Sequence, residues 1–113
     1  MHSVKWTKTL VGEVKNMKIH DVGIAGTLES SDISIYVEEN TGKGIQIELK
    51  STVENQFGKQ IREVIKETLS ELGVTDVIVR ANDKGALDCT IRARVLTAVN
   101  RASQGNLLPW EVK

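Results

Sequence analysis

The sequence predicts an α+β domain: a small antiparallel sheet of about five strands, with elements in the order βββαββα and two helices packed on one face. Three observations predict it. Ile33, Ile35 and Val37 fall on one face of an extended segment while Ser34, Tyr36 and Glu38 fall on the other, the period of two expected of a half-buried strand. Val53, Phe57, Ile61, Val64 or Ile65, Leu69 and Leu72 recur at the spacing of an amphipathic helix. Val77 and Val79 then alternate with Ile78 and Arg80 up to a turn signal, Asn82-Asp83-Lys84-Gly85.

In chain order, the first strand signal runs from Val22 to Leu28, interrupted by Gly23 and Gly26, and leads into the polar turn Glu29-Ser30-Ser31-Asp32. The alternating strand from Ile33 follows. Asn40-Thr41-Gly42-Lys43-Gly44 supplies a turn, after which Ile45, Ile47 and Leu49 repeat the alternation, so three antiparallel strands are the natural reading. Ser51-Thr52-Val53-Glu54 fits a capping box that would start the helix, and Gly73 suits its end. After the turn at 82–85 a return strand would hold Leu87, Cys89, Ile91 and Ala93 inward, although the same stretch also fits a helix through Leu87, Ile91, Val95 and Ala98. Residues 95–102 are helical on either reading. Gly105 and Pro109 end regular structure ahead of an apolar tail, Leu107-Leu108-Pro109-Trp110.

A chain of 113 residues with 40% hydrophobic content supports one domain with one modest core. Residues 1–16 carry Lys5, Lys8 and Lys15 against Glu13, and the composition shifts at Met17. Codons for Gly12-Glu13-Val14 can contain a ribosome-binding sequence, so residues 1–16 are expected to be an extension upstream of a natural start at Met17. The alternative is a genuine extra strand from Trp6 to Val14. Residues 17–105 form the domain and 106–113 a C-terminal tail. Fifteen basic against fifteen acidic residues give no overall field toward nucleic acid or an anionic membrane. No apolar run reaches the roughly 20 residues of a membrane-spanning helix and no secretory signal is visible, so a cytoplasmic location is expected. The lone Cys89, with His2 and His20, offers neither a disulfide framework nor metal-ligand spacing.

Chemistry is sparse. Ser30, His20 and Asp32 include the residue types of a catalytic triad, but nothing in their spacing enforces contact. Glu38-Glu39 reads as a solvated pair beside a turn, and Gly42-Lys43-Gly44 lacks the spacing of a phosphate-binding loop. Cys89 reads as a core cysteine among apolar neighbours. Arg80, Arg92, Arg94 and Arg101 cluster late in the chain, where they could face nucleic acid or an acidic partner, but four aromatic residues leave few stacking platforms for RNA. Catalytic residues are not expected. Composition and spacing alone lead to a small α+β binding or carrier domain.

Four blocks take the reading further. Ala25-Gly26-Thr27-Leu28-Glu29-Ser30-Ser31-Asp32 resembles the attachment motif of the citrate lyase acyl carrier protein, or gamma subunit, family. Val53-Glu54-Asn55-Gln56-Phe57-Gly58 is similar to that family's helix start, Asn82-Asp83-Lys84-Gly85-Ala86-Leu87-Asp88-Cys89 to its second signature, and Leu108-Pro109-Trp110-Glu111 to its C-terminal end. The blocks occur in order between Met17 and Glu111. Position 31, often glycine in such motifs, is serine here.

The resemblance implies that Ser30 carries phosphoribosyl-dephospho-CoA through a phosphodiester placed there by a separate transferase. It implies an acetyl or citryl thioester on the arm's thiol during cleavage of citrate to acetate and oxaloacetate, with the reactions performed by alpha and beta partner subunits. It also implies a fold other than the four-helix carrier of fatty-acid type. Glu29 and Asp32 flank the site and read as solvated turn residues. The related alternatives are the carrier subunit of malonate decarboxylase or citramalate lyase, and a small nucleic-acid-binding module is the alternative from another class.

Overall fold

The computed structural model describes residues 19–103, apart from the side chains of Glu54 and Asn55. The expected extension 1–16 and tail 106–113 lie outside the described residues. Six elements follow one another: β1 (Gly23–Ala25), β2 (Ile33–Glu39), β3 (Ile45–Ser51), α1 (Glu54–Glu71), β4 (Val77–Asp83) and α2 (Asp88–Ala102). The α+β class and the two helices on one face hold. The order is βββαβα, with a four-stranded sheet in place of five strands.

The missing strand is α2. Ile91, Val95, Ala98, Val99 and Ala102 are buried at three- and four-residue spacing, a pattern that continues unbroken only in a helix. A strand would have buried Leu87 and Cys89, yet both are exposed. Asp88 in the first turn and Arg101 in the last complement the helix dipole.

The sheet is mixed, in the order β1-β2-β4-β3, because β4 inserts between the two strands expected to form a hairpin. β2 pairs antiparallel with β1 and β4, whereas β3 pairs parallel with β4. The β3-α1-β4 crossover accounts for the parallel pair, since a helix returns the chain to the starting end of the sheet. The turn at 40–44 does form, with Asn40 Nδ2 donating to the Gly44 carbonyl at 2.9 Å. However, it is sewn to the beginning of β4: Val77 N donates to Gly44 O at 3.0 Å and Gly44 N to Asp76 Oδ1 at 3.0 Å. The burial pattern agrees with this order. Val77, Val79 and Ala81 of the central strand are buried, while Ile45 at the outer strand remains 36% exposed.

One face of the sheet forms the core. Ile33, Ile35, Val37, Val77 and Val79 meet Ile61, Ile65 and Leu69 of α1 and Ile91, Val95 and Val99 of α2. Ile65 is completely buried, so Ile65→Val should lower unfolding stability by about 1 kcal/mol, measured as a shift in urea midpoint at unchanged slope. On the opposite face Arg80 pairs with Glu38 at 2.6 Å and Glu48 at 3.2 Å and lies 5.4 Å above the Tyr36 ring. These groups are largely solvated and contribute little to stability.

The ends of α1 divide the expectations. Gly73, with φ +73, follows the helix in a Schellman arrangement, with Gly73 N donating to Ser70 O and Val74 N to Leu69 O, both at 3.0 Å. The capping box does not form. Val53 is the N-cap residue, and Ser51 ends β3 opposite Asp83. The Ser51 hydroxyl donates to Asp83 Oδ2 at 2.9 Å and accepts from Val53 N at 3.0 Å. Among the described residues, no helix is long and apolar enough to cross a membrane.

Candidate functional site

The segment joining β1 to β2 presents Ser30 and Ser31 to solvent. It begins at Gly26, whose φ of +92 and close approach to the Ile33 carbonyl leave no room for a Cβ. Gly26 therefore serves the turn's own geometry, not an approaching partner. Asp32 N donates to Glu29 O at 3.1 Å, closing a four-residue turn over Ser30 and Ser31. Ser31 has φ +66, the left-handed region that the third residue of a type II turn requires and that glycine ordinarily fills. This is the position where the attachment motif often has glycine.

The turn is bound to the strand end and to α2. Ser31 N donates to Lys84 O at 2.8 Å and Lys84 N to Asp32 O at 2.9 Å, extending the β2–β4 ladder by one step. The two segments that resemble family signatures, 25–32 and 82–89, are therefore neighbours in space. Asp32, expected to be solvated, is 9% exposed. Its carboxylate accepts Thr27 N at 3.1 Å, Thr27 Oγ1 at 2.6 Å, and both Nε and Nη2 of Arg94, at 3.0 and 3.1 Å. Thr27 Oγ1 in turn accepts Glu29 N at 3.2 Å.

The paired Arg94 guanidinium, then Thr27 and the Ile33 N–H, hold the Asp32 carboxyl well below the usual carboxylate range. A depressed native pKa stabilises the fold above the ordinary aspartate value of about 3.9, and that contribution fades as pH falls below it. The stability difference between the wild type and Asp32→Asn should therefore be constant from neutral pH to about pH 5 and shrink below about pH 4. Urea midpoints across that range would read it.

Ser30 is exposed, and its hydroxyl makes no hydrogen bond among the described residues. The triad does not assemble. Asp32 is committed to Thr27 and Arg94, while His20 is anchored through its N–H to Ala102 O at 3.0 Å, roughly 12 Å farther along α2 than Arg94. Cys89 is exposed on the first turn of α2 and is not a core residue. Glu38 is tied to Arg80 and Glu39 accepts the Thr41 hydroxyl.

The late arginines do not form one basic face. Arg80 lies on the open sheet, Arg92 pairs with Glu67 and Glu71 of α1 at 2.9 and 3.4 Å, Arg94 holds Asp32, and Arg101 donates to Ile24 O at 2.7 Å. Among the described residues no His, Cys, Asp and Glu group could hold a metal ion.

The sequence reading missed two residues. Arg94 acts on a turn 62 positions away, and no local signal could connect them. Asp83 is fully buried and accepts Ser51 Oγ, Gly85 N at 3.0 Å and Ala86 N at 2.9 Å. Its place before glycine in a turn was a usable signal, since aspartates there commonly cap the following backbone.

Residues 20–102 match the family model for ACP described as malonate decarboxylase delta subunit (MdcD). A solved Pseudomonas malonate decarboxylase hetero-tetramer contains a chain of similar fold, with a TM-score of 0.59 and 15% identity over 73% of this chain and 88% of that one. The fold, together with the ACP family model, defines a small α+β carrier protein. Over 84% of its length the chain is 54% identical to the citrate lyase acyl carrier protein of Streptococcus mutans and 56% identical to that of Lacticaseibacillus casei, covering 93% of each relative. It is 51% identical to that of Vibrio cholerae over 83% of this chain and 96% of the relative. The chain belongs to the citrate lyase acyl carrier protein family.

Proposed function

We propose that this protein is the carrier subunit of a cytoplasmic citrate lyase and that Ser30 bears its covalent arm, phosphoribosyl-dephospho-CoA, through a phosphodiester. The observation that carries the reading is the turn itself. An exposed serine without an internal base sits on a loop that is fixed through the Thr27 and Asp32 side chains and the Ser31 N–H. Such a hydroxyl suits modification by a separate transferase and has no means of its own to act as a nucleophilic catalyst.

The residues present fit the group. Ser30 supplies an accessible oxygen, and the Thr27–Asp32–Arg94 network ties the turn that carries it to α2. When bound, the arm supplies a thiol on which acetyl and citryl groups are held as thioesters. The protein's own share is to hold the attachment point and to dock on partner alpha and beta subunits that cleave citrate to acetate and oxaloacetate. Tethering raises the acyl group's effective concentration at each partner site.

Citrate is favoured over malonate or citramalate because three relatives at 51–56% identity are citrate lyase carriers. The family model's malonate decarboxylase description keeps that substrate as the second reading. Intact mass of protein made in its own host, followed by peptide mapping, is expected to find the phosphoribosyl-dephospho-CoA adduct on Ser30. Unmodified protein from that host, or an adduct confined to Ser31, would refute the site. Assaying the purified native complex with citrate, citramalate and malonate decides the acid.

A further inference from the structure

Two adjacent hydroxyls, Ser30 and Ser31, are exposed on the same turn, and a transferase must choose between them. The carboxylate of Asp32 lies at the end of the turn and takes two hydrogen bonds from Arg94, at 3.0 and 3.1 Å, and two from Thr27. Glu29 N is bound to the Thr27 hydroxyl and Ser31 N to the Lys84 carbonyl. The Thr27 and Asp32 side chains and the backbone N–H groups of Glu29 and Ser31 are thus fixed, and Ser30 lies exposed between these anchored positions.

We propose that Arg94, acting through Asp32, is the positioning residue that presents Ser30 to the transferase and makes it the modified serine in preference to Ser31. The inference rests on the reading of Ser30 as the attachment site. Arg94 acts through the Asp32 carboxylate, to which its guanidinium donates at 3.0 and 3.1 Å. Its guanidinium fork matches the two carboxylate oxygens of Asp32, which sets the orientation of the turn as well as its position. Opposed to this, Ser31 is held by its own N–H in a left-handed conformation, so its hydroxyl leaves the chain in a different direction.

The modification is a phosphoryl-transfer step on an activated phosphoribosyl phosphoanhydride donor. The Ser30 oxygen forms a bond to the ribosyl phosphorus as the anhydride P–O bond breaks. The phosphate or pyrophosphate leaving group takes the electron pair, and the serine proton passes through the transferase to solvent. In-line attack demands an aligned oxygen, and a misplacement of about 1 Å can cost on the order of 100-fold.

The test uses the full chain with the purified prosthetic-group transferase of its own host and that enzyme's donor. Initial rates come from intact mass and the modified serine from peptide mapping. For Arg94→Gln we expect kcat/KM at least tenfold below wild type, carried mainly by kcat, with a measurable share of adduct on Ser31. Arg94→Lys, which keeps the charge and loses the fork, should recover part of the rate. Urea midpoints monitor folding, and Arg92→Gln, which breaks two more exposed ion pairs of the same helix away from the turn, should behave as wild type.

The proposal is overturned if folded Arg94→Gln is modified only on Ser30 at the wild-type rate. It is equally overturned if Arg92→Gln lowers the rate as much, since a general loss of rigidity would then explain the effect. If Arg94→Gln does not fold, Thr27→Val, which removes one hydroxyl from the same carboxylate, must show the same redistribution toward Ser31 or the proposal fails. Wild-type protein that takes no adduct on Ser30 refutes the underlying reading of the site and the inference with it. Normal wild-type modification with an unaffected variant refutes the inference alone.

Discussion

Ser30→Ala made in the native host should carry no covalent adduct at all, whereas Ser31→Gly should carry the full adduct and resist urea slightly better than wild type. The first half follows from chemistry: alanine has no oxygen to form the phosphodiester, and the frame around the turn directs the neighbouring hydroxyl elsewhere. The second half follows from the backbone. Ser31 sits at φ +66, which costs a non-glycine residue about 1–2 kcal/mol. Glycine removes that strain but adds about 0.5–1 kcal/mol of unfolded-state entropy, so the net gain is expected to fall between about 0 and 1.5 kcal/mol. Intact mass and urea titration read the two effects separately. Full modification of Ser30→Ala would rule out Ser30, and loss of modification in Ser31→Gly would move the site to its neighbour.

Replacement of Gly23 should be among the most damaging changes in the fold. β1 passes so close to α2 that a Cβ at Gly23 would stand 2.0 Å from the Ala98 carbonyl oxygen, 2.8 Å from Ala102 N and 2.9 Å from Ala102 Cβ. Two of those atoms belong to helix backbone and cannot rotate aside. The helix must move off the sheet, uncovering Ala25, Ile35 and Ala98 on the buried side. Gly23→Ala should therefore cost about 3 kcal/mol or more, the upper end of what overpacking does, out of a total stability of roughly 5–15 kcal/mol. Gly23→Val should fail to fold cooperatively. A Gly23→Ala protein within about 1 kcal/mol of wild type in urea would mean that α2 does not rest on β1 as described. Because β1 leads into the Ser30 turn, the same variant should also be modified slowly.

Much of the fold was legible from short-range pattern. The alternation of Ile33, Ile35 and Val37 matches a strand with those side chains buried, and the helix containing Ile61, Ile65 and Leu69 ends at Gly73 as its spacing demanded. The errors arose where two local patterns coincide or where a local signal met a distant competitor. Leu87, Cys89, Ile91 and Ala93 alternate, but Ile91, Val95 and Ala98 also repeat helically, and burial beneath the sheet chose the helix. Ser51 had the sequence of a capping residue, yet Asp83, brought alongside by the parallel β3–β4 pairing, took its hydroxyl.

By itself the sequence determined the α+β class, the long helix, the exposed serine turn and, through its motifs, the family. These depend on neighbours a few residues apart, or on identities that need no coordinates. Only the tertiary structure decided that β4 divides the expected hairpin, that the late arginines serve four separate sites, and that Asp32 is a buried anchor of its turn and not a solvated flank. Each of those facts joins residues about 20 to 80 positions apart. Such pairings are set by which surfaces the whole chain can bury together, and no local window of residues contains that information.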